Sequence, residues 1–168
     1  MDAPDLIRHQ LRSMRRFVDG ILNGLTDEQL NWRPPGTANP IGVSWLHLLT
    51  IEDEFIQTTF QGKPRLWESQ DWTAKTCIHP RASDESWDRV KQTQFTVAPL
   101  QAYGTAVREA TDAYLGTVTP EELDRVVLAN TVEMPVAVLL TMVVCHTAGH
   151  AGDIAAIKGI QGLKGLPR

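Results

Sequence analysis

Cysteine is scarce in this chain: two in 168 residues, Cys77 and Cys145, far apart and without a CxxC pair. Two such residues make no disulfide framework, so a reducing cytoplasm is the expected compartment, with both thiols reduced and outside the chemistry. A surplus of positive charge is also missing. Sixteen Lys and Arg stand against twenty Asp and Glu, a formal charge of −4, so no overall basic field recruits nucleic acid or an anionic membrane. The one basic cluster, Arg8, Arg12, Arg15 and Arg16, has no interleaved aromatics and reads as a solvated helix face. No long apolar run is present either. The longest, Val136–Cys145, is too short to cross a bilayer and leads straight into histidine. The opening "MDAPDLIRHQ" lacks the charged-then-apolar order of a signal peptide. Internal repeats and low-complexity stretches are absent, and the length suits a single domain over residues 1–168.

What the chain does have is helix punctuation. From Asp5 to Asn23, apolar residues at Ile7, Leu11, Met14, Val18, Ile21 and Leu22 alternate steps of four and three. Thr26 followed by Gln29 has the spacing of a capping box. "NWRPPGTANP" is a loop, and Asn39-Pro40 is the cap and first position of a helix running to Phe60. Residues 61–82 read as a long irregular connection, functional or packed by its own aromatics. A helix from Ser83 or Asp84 to Gly116 is kinked or divided by Pro99. "TPEE" at 119–122 starts a further short helix, and "VVLANTVEM" is two short strands or simple extended chain. Pro135 opens the last helix, to Lys158. Four long helical segments without a convincing sheet predict an all-α fold, an antiparallel four-helix bundle with at least one long crossover connection.

The last helix carries "MVVCHTAGHAGDI". At about 100° per residue, His146 and His150 lie about 40° apart and about 6 Å from each other. Asp153 returns to the same stripe, which also holds Leu139, Met142, Val143 and Ile157 and is therefore expected to be buried. Cys145 points about 100° away. Gly149 and Gly152 weaken the helix by about 1 kcal/mol each relative to Ala, in return for a close helix neighbour or room beside the histidines. On the second long helix His47 shares a face with Val43, Ile51, Glu54 and Thr58, whereas Glu52 and Asp53 project elsewhere and are given no role. His9 is expected in solvent, and "TCIHP", with Cys77 and His79, is half a metal motif without a second half. Two readings fit three converging imidazoles: hydrogen bonds across helices, or a divalent metal that satisfies all of them. Three nitrogen ligands with a fourth position open describe a catalytic metal site.

"NPIGVSWLHLLTIEDEFI", followed about a hundred residues later by "LLTMVVCHTAGHAGDIAAIKG", resembles the DinB-like superfamily of damage-inducible bacterial metalloproteins. "LTDEQLNWRP" and "YGTAVREATDAYLGTVTPEELDR" extend the resemblance over almost the whole chain. It implies a four-helix bundle in which His47, His146 and His150 hold a divalent metal, nickel or zinc. Many relatives carry glutamine where this chain has Asp153, which alters the surroundings of the metal or supplies a fourth, anionic ligand. The resemblance further implies a metal-dependent enzyme that joins a low-molecular-weight thiol of the bacillithiol or mycothiol kind to a small-molecule electrophile, as a possible homodimer. Coordination would deprotonate a thiol of ordinary pKa about 8.5. Two alternatives stay open. One is a hydrolase using metal-bound hydroxide with Asp153 or Glu54 as general base; the other is a non-catalytic bundle in which metal stabilises the fold or a dimer.

Overall fold

The computed structural model of the protein describes residues 2–76, 78 and 90–166. It is mostly helical, with one small antiparallel sheet. Helix α1 (Ala3–Leu22) starts on Asp2, whose carboxylate accepts from the Asp5 N–H at 2.8 Å. Its buried stripe is Ile7, Leu11, Arg15, Val18 and Leu22, so an arginine, not the expected Met14, occupies the central core position. Gly24, at φ +75°, takes the left-handed turn that leads out of the helix.

The capping box predicted at Thr26 and Gln29 is present at the head of α2 (Asp27–Asn31). This short helix clamps a distant loop. Asn31 exchanges hydrogen bonds with the Phe95 backbone at 2.7 and 2.8 Å, and Asp27 accepts from the Val97 N–H. The clamp lays the Phe95 ring on Gly42, where any Cβ would sit 2.6 Å from the ring. Only glycine allows that approach, and it fixes the first turn of α3 (Ile41–Asp53). Pro40, not Asn39, takes the cap position of α3, and no side chain caps it. The helix then widens into a π-helical segment, Glu54–Thr59, so it continues toward Phe60 as expected but not as regular α-helix.

The connection predicted to be irregular contains two short helices, α4 (Leu66–Ser69) and α5 (Trp72–Thr76). Trp67 and Trp72 are buried against Tyr103, with ring centroids 4.8 and 5.4 Å away, so the segment is packed by its own aromatics. The predicted helix start at Ser83 or Asp84, along with Cys77 and His79, lies outside the described residues. Residues 90–92 are helical, the helix is interrupted at 93–96, and α6 (Val97–Thr117) follows. Pro99 therefore sits in the first turn of α6 and kinks nothing, because the N–H it lacks would have no helical partner there.

Thr119 and Pro120 open α7 (Pro120–Asp124) as the sequence predicts. Of the two readings for "VVLANTVEM", the strands are correct: β1 (Val126–Ala129) pairs with β2 (Val132–Pro135), with Asn130 at φ 55° in the turn. Helix α8 (Val136–Ile160) leaves the hairpin directly. By length and composition α8 is apolar enough to cross a membrane, yet it packs as a core helix against α1 and α3. Its buried Lys158 donates to the Ile21 carbonyl at the end of α1. Helix α6 packs on α3.

The charged side chains of this interior are paired, with Arg15 Nε left without a partner among the described residues. Arg15 binds Glu52 and Asp112, both at 2.7 Å, and Glu52 also accepts from the Thr111 hydroxyl at 2.7 Å, which ties α1, α3 and α6 together. Asp53 accepts from the Leu66 and Trp67 N–H groups and the Tyr103 hydroxyl. Its carboxylate thus caps α4 from a distance. Glu52 and Asp53, 3% and 1% exposed, are thus core residues, correcting the expectation that their direction left them idle. The basic cluster is corrected as well. Arg15 is buried, and Arg8 donates to the Leu115 and Val118 carbonyls; Arg12 and Arg16 are the exposed members.

Candidate metal centre

Helices α3 and α8 bring His47, His146 and His150 together, with one potential ligand atom from each within 4.8 Å of the others. The Nε2 atoms of His47 and His146 are 3.1 Å apart. Ring centroids lie 4.9 Å apart for His47–His146 and His47–His150, and 4.5 Å for His146–His150, with steeply inclined planes. Two nitrogens bound at about 2.05 Å to one tetrahedral ion would be separated by about 3.3 Å. The cluster is therefore close to the spacing a shared cation requires.

The protonation states suit the same purpose. Burial, with added repulsion from His150 and His47, pulls the His146 pKa down to about 4, so this imidazole is neutral at pH 7 with a lone pair to offer. His150 Nδ1 lies 3.0 Å from Asp153 Oδ2. A carboxylate on Nδ1 fixes the ring's orientation and leaves Nε2 as the ligand atom. The residues present thus fit a divalent metal, by donor chemistry as well as by distance.

Two expectations about the surroundings need correction. The histidine stripe of α8 was read as buried, but all three histidines are half-buried, Met142 is 46% exposed, and the Asp153 side chain is 63% exposed. The buried face runs instead through Leu139, Leu140, Val143, Thr147, Ala151, Ile154 and Ile157. The ligands stand at the margin of the core, open on one side. Gly149 and Gly152 make no close helix contact, since a Cβ on either would meet nothing within 4 Å. Cys145 is free and exposed, and His9 is exposed as predicted. Glu54, a candidate acid, has its carboxylate 3.4 Å from Arg65, which also binds Glu68.

With this geometry in place, comparison with known proteins is decisive for the family. The model of the DinB superfamily matches residues 10–154, a span that holds all three histidines and Asp153. The chain belongs to the DinB superfamily. A conserved protein from Enterococcus faecalis, known from its crystal structure, is 20% identical to this DinB protein. The two superpose with a TM-score of 0.80 over 96% of this chain and 99% of that one, which establishes a shared fold. Curated proteins contain no match.

Proposed function

We propose that this DinB protein is a metal-dependent enzyme, an S-transferase that joins a small thiol to an electrophile at a zinc or nickel site on His47, His146 and His150. The four long helices are then a single antiparallel bundle with a crossover between α3 and α6, working in the cytoplasm. The observation that carries this reading is the half-buried, three-imidazole cluster with a carboxylate behind one ring. A metal that only braced the fold would call for a closed site with four protein ligands.

When bound, a divalent cation supplies Lewis acidity that lowers a thiol's pKa and stabilises the thiolate. The chain's own residues do the rest. His146, neutral at pH 7, presents its lone pair without first losing a proton, and Asp153 orients the His150 ring. The open side of the cluster leaves room for the second reactant beside the thiolate, so that proximity adds to activation. Asp153 acts as a positioning residue through His150, and Glu54, paired with Arg65, is given no part.

The test is metal analysis of protein purified without a histidine tag, followed by a screen of small thiols against a model electrophile. About one divalent ion per chain and thiol conjugation that stops on chelation are expected. Conjugation undiminished in a variant lacking all three histidines would refute the assignment.

A further inference from the structure

Helix α8 is apolar on nearly every side, yet the chain covers only the side that meets α1 and α3. A helix of that composition is ordinarily buried all round. The other long helices have an ordinary solvent face: Arg12, Arg16 and Asp19 are exposed on α1, and Glu109 and Asp112 on α6. Among the described residues of α8 the one exposed charge is Asp153, because Lys158 is buried.

From Val138 the exposed residues step by four and three through Met142, Cys145, Gly149, Gly152 and Ala156 to Gly159. That is the spacing of a coiled-coil seam, held over about 32 Å. Glycine costs a helix interior about 1 kcal/mol relative to Ala, and a Cβ on Gly149, Gly152 or Gly159 would meet nothing within 4 Å. The close backbone approach these glycines permit is therefore not used within the chain. Large apolar residues flank the seam. Of the eight that are exposed among the described residues, six lie on the hairpin and α8: Val126, Leu128, Val132, Val138, Met142 and Ile160, from 45% to 63% exposed. About half exposed each, they offer on the order of 500 Å² together, the size of apolar patch that serves as a contact site. The small residues between them raise the face toward the roughly 800 Å² that each partner of a standard interface buries.

We infer that the solvent face of α8 is a homodimer interface, its seam packed on the same seam of a second copy. The character of the face selects this occupant. An apolar seam is complementary to itself across a two-fold axis. A bilayer surface would instead call for a border of basic residues, and the one charge here is an acid. The two helices run antiparallel, which opposes their macrodipoles and sets the hairpin of each copy toward Ile160 of the other. The axis passes near Gly149, at the midpoint of the seam, so the two Cys145 residues lie about 10 Å apart along the helices. The seam is centred about 110° around α8 from His146 and His150, so the second copy stands beside the metal centre without closing it.

Sedimentation equilibrium of the tag-free protein, from the micromolar range to about 100 μM, should show a dimer. Gly149→Arg sets two like charges against each other at the axis and should weaken association at least a hundredfold. Ala113→Arg, the same charge change on the exposed side of α6, should leave the dimer intact. A side chain at Gly149 has open space in the single chain, so the variant should keep its helical circular dichroism and its metal content as a monomer. Met142→Lys, toward one end of the seam, should weaken association about tenfold and keeps the test sound if Gly149→Arg does not fold. In a Cys77→Ser background, a bismaleimide of about 10 Å reach should join two chains through Cys145 and should fail once Gly149→Arg is added. A protein monomeric over the whole range would overturn the inference, as would a dimer that both α8 substitutions leave unchanged. A monomer that floats with phosphatidylcholine vesicles would make a membrane the occupant and overturn it as well.

Discussion

Glu52→Ala tests whether the buried acids of α3 hold the fold together or serve the metal. The Arg15 and Glu52 side chains are 10% and 4% exposed and 2.7 Å apart. Removing the carboxylate strands a guanidinium whose Nε is already without a partner, leaving it only Asp112, which is 47% exposed. Breaking a buried pair on one side typically costs about 3–5 kcal/mol. The surviving Asp112 contact argues for the lower end, about 3 kcal/mol, and the freed Thr111 hydroxyl can give its one proton to the Val107 carbonyl. That is a large part of the roughly 5–15 kcal/mol that stabilises a typical domain. Glu52→Gln, which keeps an acceptor, should cost less, and the double variant Arg15→Met/Glu52→Leu should lie near wild type, since both charges leave together. Urea unfolding in the presence of a chelator measures each value, and metal content is measured separately on the loaded protein. The reasoning fails if Glu52→Ala costs under about 1 kcal/mol with additive single variants. It fails as well if metal content falls while stability does not.

The other predictions concern the site and one buried acid. Alanine at His47, His146 or His150 should lower metal affinity beyond the roughly 10–100-fold typical of losing a partner behind a ligand, whereas His9→Ala should leave metal content unchanged. Asp153→Asn should retain the metal and lose roughly 10–100-fold in affinity or activity, with Asp153→Gln milder than Asp153→Ala; outright loss of metal would make the acid a ligand. Cys145→Ser, at an exposed position off the cluster, should keep both metal and activity, and a loss of either would expose a missed thiolate. Burial raises the Asp53 pKa above its ordinary 3.8, its hydrogen bonds offsetting part of the rise. The fold therefore holds this proton more tightly than the unfolded chain does, and the associated stability fades as pH rises through the raised value. Wild type should accordingly lose stability relative to Asp53→Asn as pH rises above the ordinary carboxylate range, and a relative gain would contradict the shift.

Local rules and global packing were not equally legible in the sequence. Thr26 with Gln29 and Thr119 with Pro120 act within three residues, so their caps are visible in the chain and appear where expected. The histidine positions were legible for a related reason, since an i,i+4 pair shares a face in any regular helix. What periodicity missed was depth. Residues 41–46 of α3 are all buried, and α8 is apolar nearly all round, so neither helix announces which side meets its neighbours. Choosing the His47 face as the core face relegated Glu52 and Asp53. A stripe drawn through Trp45, Leu49, Glu52 and Ile56 would have found them, at the cost of accepting an acid in the core. Arg15 is the complementary signal: with a basic residue midway along the apolar stripe of α1, an acid in the facing helix has a reason to be there.

The same ambiguity bears on the chemistry. A histidine cluster sunk in the bundle centre would have to exclude any substrate, whereas one at the core's margin is anchored and accessible together. The ion-paired centre of α1, α3 and α6 fixes the buried side of α3, which leaves His47 at its edge. On α8 the buried stripe through Val143, Thr147 and Ala151 does the same for His146 and His150. The acids first set aside as idle therefore act on the site indirectly, by holding the helix that presents His47. Loss of the Arg15–Glu52 pair should consequently alter metal release only as far as it unfolds α3, which separates this role from that of Asp153.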